Sequence, residues 1–336
     1  MNECVFVTGG SGFIGSAVIR HLLATTALRV INIDKLTYAV HSQALASVQG
    51  HPRYAFYQHD IADEAALSVL FAQYQPRYVL HLAAESHVDR SINSALPFIH
   101  SNIVGTFSLL EAIRKYWLSL ASHEQGLFRF LHVSTDEVFG DLDEGVPAAD
   151  EHHRYLPSSP YSASKAASDH LVMAWSRTYN LPALITHCTN NYGPYQHREK
   201  LIPLAIERAL NGQPIPIYGN GLQIRDWLFV EDHAKALVTV LFKGQIGESY
   251  NIGANNPRSN LAVVHHICDT LTLLVPTKDT PYKNLITFVT DRPGHDKRYA
   301  LNSDKIQRQL NWHAATPFDE GMAITIRFYI NTYAKR

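Results

Sequence analysis

Cysteine is scarce in this chain of 336 residues, with only Cys4, Cys188 and Cys268 present. Three scattered cysteines are too few for a disulfide framework and show no zinc-ligand spacing. They are typical of small core residues in a reducing compartment, so we expect a cytoplasmic protein. Nineteen histidines are present, but without an HExxH motif or a Cys/His cluster the sequence predicts no metal site.

Excess charge of one sign is also lacking. The 29 Lys and Arg residues nearly balance the 30 Asp and Glu residues, which gives a net charge of −1, and no long basic run occurs. We therefore expect no nucleic acid or membrane partner, although a few local cations would suffice to bind one phosphorylated small molecule. No apolar run is expected to reach the length of a membrane span. The opening MNECVFVTGGSG, a strand followed by a glycine turn, argues against a cleaved signal peptide.

The first half of the chain alternates short apolar runs with helical stretches. ECVFVTG, RVINID and YVLHLAA have the pattern of strands, whereas SAVIRHLLAT and EAALSVLFAQY have the pattern of helices. A long helical stretch around 99–120, the strand FRFLHVST, a helix beginning near Pro160 and the strand ALITHC follow. This alternation predicts an α/β fold with a Rossmann-type, doubly wound parallel sheet that helices cover on both faces.

The stretch VFVTGGSGFIGSAVIRHL places Gly9 (or Gly10), Gly12 and Gly15 between a strand and a helix. Glycines there allow a tight turn and let the backbone approach a pyrophosphate, which the helix N-terminus binds. Asp34 ends the next strand, where it is placed to accept hydrogen bonds from a ribose and to repel a 2′-phosphate. The pattern predicts NAD rather than NADP. Asp60 and Ile61, after another strand, are candidates for an adenine contact.

From about residue 187 the alternation becomes irregular, with turns at YGPY, GQPIPIYGNG and DRPGHD. We predict that residues 1–186, together with about 222–253, form the NAD-binding Rossmann domain. Residues 187–221 and 254–336 are predicted to form a smaller, irregular α+β domain for the substrate. RDWLFVEDHAKALVTVLF is expected to return one strand and one helix to the main sheet.

The stretch PSSPYSASKAASDHLV opens with Ser and Pro, which favour the start of a helix. It puts Tyr161 and Lys165 one helical turn apart. A nearby ammonium lowers the pKa of a phenol, so Tyr161 is expected to accept a proton from a sugar hydroxyl while hydride leaves for the nicotinamide. Such a pair is common by chance, and it gains weight from the dinucleotide turn on the same chain.

HVSTDEVFGDL places Thr135, Asp136 and Glu137 in a row at the end of a predicted strand. Two adjacent carboxyl groups at the mouth of a sheet repel each other and lose solvation, so a solvated loop is the ordinary interpretation. Oxidation alone needs only the hydroxyl. The two acids are explained if one works protonated and the other ionised, because eliminating water needs both an acid and a base. Asp136 is expected to be the protonated one, with its pKa raised by burial and by Glu137.

Several blocks of the sequence together resemble one family over nearly the whole chain. They are DKLTYA, LAAESHVDRSI, STDEVFGDL, SSPYSASKAASDHL, NNYGPYQHREKLIPL, RDWLFVEDH and DRPGHDKRYA. They resemble the extended short-chain dehydrogenase/reductases, and within these the dTDP-glucose 4,6-dehydratases. The resemblance implies conversion of dTDP-glucose to dTDP-4-keto-6-deoxyglucose and water, with a hydride moved from C4 to C6 by way of NAD. It also implies that Thr135 holds the 4-oxygen, Tyr161 with Lys165 is the base, Glu137 removes the C5 proton and Asp136 protonates the departing C6 hydroxyl.

The resemblance also implies two sets of binding residues. The cofactor set is Gly9, Gly12, Phe13, Ile14, Gly15, Asp34, Lys35, Leu36, Thr37, Asp60, Ile61, Leu82, Ala83, Ala84, Ser86, Ser101, Tyr161, Lys165 and Asn191. The substrate set is Ser86, Thr135, Asn190, Lys200, Leu201, Pro216, Ile217, Tyr218, Arg225, Asn260, Arg292 and His295. Arg225 and Arg292 suit the oxygens of a diphosphate because a guanidinium donates as a fork.

Some features leave alternatives open. Ser11, Phe139 and His187 stand where the family usually has alanine, tyrosine and arginine, and Pro257 is unfamiliar at its place. A dehydratase of UDP-glucose or another nucleotide-glucose, a nucleotide-sugar 4-epimerase and an inactive NAD-binding regulator are the competing interpretations. An epimerase has no use for the two acids, and an inactive protein would be expected to have lost one of the catalytic residues. The apolar helices around 100–118 and 161–178 predict a homodimer by resemblance, although one chain could also bury those faces itself.

Overall fold

The structure is a computed structural model that describes residues 3–277 and 280–333. The predicted domains also include residues 1–2, 278–279 and 334–336, which lie outside the described ranges. The strands are β1 (Cys4–Thr8), β2 (Arg29–Ile33), β3 (Tyr54–Tyr57), β4 (Tyr78–His81), β5 (Arg129–Thr135), β6 (Ala183–Cys188), β7 (Asn190–Tyr192), β8 (Ile215–Tyr218), β9 (Ile224–Phe229), β10 (Ser249–Ile252), β11 (Pro257–Ser259) and β12 (Ile286–Val289). The helices are α1 (Phe13–Thr25), α2 (Glu64–Tyr74), α3 (Val88–Asn93), α4 (Leu96–Phe98), α5 (Gly105–Ser119), α6 (Ser122–Gln125), α7 (Pro160–Tyr179), α8 (Leu201–Leu210), α9 (Val230–Lys243), α10 (Asn260–Leu274), α11 (Asp304–Leu310) and α12 (Phe318–Tyr333).

The main sheet has seven parallel strands in the order β10-β6-β5-β4-β1-β2-β3. This confirms the predicted Rossmann-type doubly wound fold. The strand order reverses at β1, where β2 lies on one side and β4 on the other. In such sheets the crevice beyond the carboxyl ends of the strands at the reversal point binds the ligand.

The placement of the strand RDWLF corrects the sequence prediction. This strand, β9, lies between β7 and β11 in a separate three-stranded sheet, and the last place in the main sheet is taken by β10, which pairs with β6. The helix α9 that follows does return to the main sheet, where it packs against α1. Leu228 faces the core of the main sheet, whereas Trp227 and Phe229 face the second core. Because the second half of β9, residues 227–229, is apolar on both faces, its pattern resembles that of a central strand of the main sheet.

Two further sheets and the helices α8, α10 and α12 surround a core of their own. β8 pairs with β12, and the core beside them contains the side chains of Tyr192, Ile206, Ile267 and Met322. All three cysteines are buried and unpaired, as expected for core residues. The exact domain boundaries stay a prediction.

The helical segment Leu96–Ser119 corrects another expectation, because it is long and apolar enough to cross a membrane by length and composition. More than half of its apolar window, 56%, is buried inside the protein, where the segment packs against α2 and α7. A core helix passes the same test. Its residues Ile99–Val104 form a π-helical turn, and at Gly105 a Cβ atom would lie 2.9 Å from the side chain of Ile61.

Candidate active site

A long cleft runs along the carboxyl ends of the central strands of the main sheet. All residues of the predicted cofactor set except Leu36 line it, and so do all five predicted catalytic residues. Of the predicted substrate set, Ser86, Thr135, Asn190 and Lys200 also line it. The remaining members lie outside its lining, namely Leu201, Pro216, Ile217, Tyr218, Arg225, Asn260, Arg292 and His295.

The glycine turn shapes one end of this cleft. Gly9 has a positive φ of +68°, and a Cβ there would lie 2.6 Å from the backbone nitrogen of Ala83. A Cβ on Gly15 would lie 2.2 Å from the carbonyl oxygen of Gly9, so only glycine lets α1 pack this closely on the turn. Gly12 begins the helix without a side-chain cap or an acid in the first turn. The first backbone N–H groups of α1 are therefore free to bind an anion such as the pyrophosphate of NAD.

Asp34 lies at the end of β2, almost fully buried in the wall of the cleft. Its Oδ2 accepts a hydrogen bond from the backbone nitrogen of Ser11 over 2.9 Å, and its Oδ1 accepts one from that of Leu36 over 2.8 Å. Burial raises the pKa of this carboxyl and the two backbone bonds oppose that rise. The unusual Ser11 is accommodated locally, because its hydroxyl accepts a bond from Asn32. Asp34 is thus held rigidly where a ribose diol of NAD would fit.

The segment that carries the two acids is a sharp turn at the end of β5. Thr135 ends the strand, and Asp136–Phe139 form a 3-10 turn. The hydroxyl of Thr135 donates to Oδ1 of Asp136 over 3.2 Å and accepts from the backbone nitrogen of Glu137 over 3.3 Å. Asp136 is 3% exposed, whereas Glu137 is half-buried. The turn therefore sets one acid into the protein and leaves the other open to the cleft.

The surroundings of the two carboxyl groups raise both of their pKa values, but not to the same degree. Burial, and next the charge of Glu137, raise the pKa of Asp136 well above its usual range, which is the direction predicted from the sequence. Burial also raises the pKa of Glu137, but the cations Arg292 and Lys200 oppose that rise. Asp136 is thus suited to work as an acid and Glu137 as a base.

Tyr161 and Lys165 lie on the first turns of α7, which begins at Pro160 with Ser159 as its cap. Nζ of Lys165 donates to the carbonyl oxygen of Val133 over 2.9 Å. The expected lowering of the pKa of Tyr161 by this ammonium is wrong for this arrangement. Burial, and next the neighbouring charge of Glu137, raise the pKa of Tyr161 well above its usual value. Burial also lowers the pKa of Lys165, and the charge of Asp169 opposes that change.

Some predicted binding residues make contacts that the sequence did not suggest. The side chain of Asn191 is turned away from solvent and bonds to Nδ1 of His233 over 2.9 Å and to the carbonyl of Thr189 over 2.9 Å. Lys200 donates to the carbonyl oxygen of Ser86 over 3.0 Å. The side chain of Ile217 is buried in the second core.

The two arginines expected to bind phosphate differ in their contacts. Both terminal nitrogens of Arg225 donate to backbone carbonyl oxygens, those of Ile224, Asp296 and Lys297, so its fork is occupied in this conformation. Arg292 contacts Oδ1 of Asp89 over 3.4 Å, and the hydroxyl of Tyr218 donates to Oδ2 of the same carboxylate over 3.2 Å. His295 pairs with Asp291. These residues lie close to the acids, since the charges of Arg225 and Arg292 act on the pKa of Glu137.

The sequence analysis missed several residues that line the cleft, namely Tyr38, Glu85, His87, Gln196 and His197. Arg90 joins two of the surrounding loops, because its guanidinium lies 3.6 Å from the ring centre of Tyr38 and its NH2 nitrogen lies 2.6 Å from Oε1 of Glu199. Tyr38 and Glu199 are far apart in the chain. No local pattern could have shown that they meet.

Comparison with known proteins agrees with this geometry. The sequence profile of the GDP-mannose 4,6 dehydratase family matches residues 6–325. The chain is 56% identical over 330 residues to the dTDP-glucose 4,6-dehydratase of Neisseria meningitidis serogroup B. The alignment covers 97% of this chain and 93% of that protein. The structure of the Streptomyces venezuelae dTDP-glucose 4,6-dehydratase with NAD and dTDP bound has a TM-score of 0.90 at 40% identity, covering 99% of this chain and 98% of that one. A UDP-glucose 4-epimerase of Thermus thermophilus in complex with NAD has a TM-score of 0.85 at 27% identity, covering 98% and 99%.

Proposed function

The chain belongs to the dTDP-glucose 4,6-dehydratase family, and on that premise we propose that it converts dTDP-glucose to dTDP-4-keto-6-deoxyglucose and water. One observation carries the proposal. The buried carboxyl of Asp136 and the open carboxyl of Glu137 line the same cleft as Tyr161 and the glycine turn. A site for oxidation alone does not need this second pair of groups.

The glycine turn and Asp34 hold NAD, which supplies the acceptor and donor of hydride when it is bound. Thr135 and Tyr161 would hold the 4-oxygen of the glucose ring. Tyr161 takes the proton of the 4-hydroxyl as this carbon is oxidised, for which the positive charges of Lys165 and of the bound oxidised nicotinamide would offset the burial that raises the pKa of the phenol. The resulting carbonyl acidifies the neighbouring C5–H bond. The oxidation thereby prepares the elimination.

The two acids then remove water across C5 and C6. Glu137 takes the C5 proton, for which it must be ionised, and the cations Arg292 and Lys200 favour that state. Asp136 gives its proton to the departing C6 oxygen, for which it must be protonated, and its burial favours that state. Elimination leaves a double bond between C5 and C6. The hydride that left C4 returns to C6 and a proton returns to C5, which gives the 4-keto-6-deoxy product without net consumption of NAD.

The proposal is tested by incubating the purified protein with dTDP-glucose and measuring the product by mass spectrometry. A dehydratase gives a product lighter by one water molecule, whereas a 4-epimerase gives a product of unchanged mass. Running UDP-glucose and GDP-glucose beside it ranks the nucleotides by kcat/KM, and we expect dTDP-glucose to rank first. An unchanged mass with all three sugars would contradict the proposal.

We also propose a homodimer, which the helices around 100–118 and 161–178 support. The first of these helices carries several exposed apolar side chains, namely Val104 (41% exposed), Phe107 (44%) and Leu118 (55%). Exposed apolar residues grouped in this way are typical of a protein interface. Light scattering should show that Phe107→Asp turns a dimer into a monomer. Leu273→Asp is the matched control, because Leu273 is 83% exposed on α10 and should not affect assembly. A wild-type monomer at micromolar concentration would contradict the proposal.

The cellular compartment of the protein is also a proposal. We propose a cytoplasmic enzyme without a nucleic acid or membrane partner, supported by its net charge of −1 and its three unpaired cysteines. Fractionation of the native host tests this, and recovery in the membrane pellet after a high-salt wash would contradict it.

A further inference from the structure

Asp169 is a fully buried carboxylate, 0% exposed, that the reaction described above does not use. It lies on α7 one helical turn after Lys165, just as Lys165 lies one turn after Tyr161, so the three side chains follow one face of the helix. Taking a lone carboxylate out of water is costly. Its neighbours therefore have to offset that cost.

The partners of Asp169 come from the strand that carries the acids, from the following loop and from β6. Its Oδ2 accepts hydrogen bonds from the hydroxyl of Ser134 over 2.7 Å and from that of Tyr155 over 3.1 Å, and Nε2 of His187 lies 3.3 Å away. Ser134 immediately precedes Thr135 at the end of β5. The carboxylate thus fastens the helix with the base to the strand end with the acids.

The ring of His132 lies between Asp169 and the ammonium of Lys165. Nε2 of His132 lies 3.1 Å from Oδ1 of Asp169 and 3.4 Å from Nζ of Lys165. Burial lowers the pKa of His132 to about 4, so the ring is neutral at neutral pH. Burial alone would raise the pKa of Asp169, but hydrogen bonds from His132 and His187 hold it well below the usual range.

Burial lowers the pKa of Lys165, and the charge of Asp169 opposes that change. Other titratable groups around Lys165 and Asp169 come from four elements, namely Tyr161 on α7, His132 on β5, His187 and Cys188 on β6, and His81 on β4. Burial raises the pKa of Cys188, which keeps that thiol neutral. Asp169 is the ionised carboxylate of this group.

We propose that Asp169 is a positioning residue that fixes α7 against the end of β5 and supplies the negative charge that keeps the Lys165 ammonium charged beside Tyr161. The inference rests on the proposed function, because the reaction supplies its kinetic readout. His187, which departs from the arginine usual in the family, is one of its neighbours. In this chain Lys165 is the lysine whose charge is coupled to that of Asp169.

The first test is the pH profile of kcat in Asp169→Asn, which keeps the shape of the side chain and removes its charge. We expect kcat to fall about 10-fold to 100-fold, KM to stay within about twofold, and the basic limb to move down by about one pH unit, since losing a nearby negative charge favours deprotonation of the ammonium. The matched control is Asp232→Asn. Asp232 is equally buried, at 1% exposed, but accepts bonds from Ala315 and Thr316 near the start of α9. The Asp232→Asn variant should have a lower Tm, but the basic limb of its pH profile should not move.

A second test does not depend on activity. Lys165→Met should lower Tm because it leaves the Asp169 charge buried without its counter-charge, and adding Asp169→Asn should recover at least about half of that loss. An unshifted basic limb in folded Asp169→Asn, or thermal losses that simply add in the double variant, would overturn the inference. If the unaltered protein does not dehydrate dTDP-glucose, the proposed function fails. The Tm values of the two single variants and the double variant still show whether Asp169 and Lys165 interact.

Discussion

The hydroxyl of Thr135 donates a hydrogen bond to Oδ1 of Asp136 over 3.2 Å. Oδ2 of the same carboxyl is buried and has no hydrogen-bond partner among residues 3–277 and 280–333. A protonated carboxyl has one oxygen that accepts and one that donates. The arrangement leaves Oδ2 to carry the proton that the elimination of water consumes.

Replacing Asp136 by asparagine should stop elimination while leaving the earlier steps intact. We expect kcat for product formation to fall at least about 10²-fold, because a general acid contributes that much or more. Enzyme-bound NADH should still form in a single turnover, since Tyr161 and Glu137 are untouched. Stopped-flow absorbance and product analysis check this. Loss of NADH formation in a folded variant would show that Asp136 acts earlier than the account states.

Glu137→Gln is the matched partner of that variant. It should abolish exchange of the C5 proton with solvent, because the group that removes this proton is gone, whereas Asp136→Asn should retain the exchange. NMR of dTDP-glucose recovered from deuterated water measures both. Equal exchange in the two variants would contradict the separate roles of acid and base.

Asp136→Asn should also stabilise the fold, and more so as pH rises. The pKa of Asp136 is raised in the folded protein, so below the ordinary Asp value both states are protonated and the group has no effect on stability. Above that value the unfolded chain releases the proton while the folded one retains it, which destabilises the wild type increasingly until the raised pKa is passed. We expect the variant to exceed the wild type in Tm by roughly 2–5 °C at pH 8 and by less at pH 4. A constant difference across pH would contradict this.

Gly15→Ala should destabilise the protein and reduce its NAD content. A Cβ at this position would lie 2.2 Å from the backbone oxygen of Gly9, so the turn and α1 must separate. Gly126→Ala is the control, because a Cβ there meets nothing closer than 3.7 Å. We expect a loss of roughly 2–4 kcal/mol in unfolding free energy for the first and less than about 0.5 kcal/mol for the second. Denaturant titration and measurement of bound cofactor check both values.

Asp34→Ala should weaken NAD binding and reduce the preference over NADP. The carboxylate is fixed by Ser11 and Leu36 where it would accept from the ribose diol and repel a 2′-phosphate. Calorimetry should show a loss of about tenfold or more in NAD affinity, since a hydrogen bond to a charged group contributes about 1.5–3 kcal/mol. A selectivity between NAD and NADP that does not change would contradict this role.

The site was readable from the sequence where its residues form a local pattern. The glycine turn with Asp34, the Tyr161 and Lys165 pair, and the Thr135 to Glu137 segment each lie on one strand end or one helix start. Their predicted elements are present in the structure. The approach of these elements to one cleft then follows from the topology of a parallel sheet.

Other parts depend on tertiary contacts that the sequence does not display. Asp169 looks like any polar residue on a helix until Ser134 and His132 are brought against it. From the sequence, the guanidinium of Arg225 is expected to bind phosphate. Only the fold shows that its terminal nitrogens already donate to nearby backbone carbonyl groups. The raised pKa of Tyr161 depends on its burial and on the charge of Glu137, neither of which the sequence displays.

The most direct test follows the product in deuterated water. The purified protein is incubated with dTDP-glucose without added NAD, and the product is recorded by NMR. The account predicts a 4-keto sugar with a methyl group at C6 and deuterium at C5. A product with the galactose configuration and an intact C6 hydroxyl would contradict it.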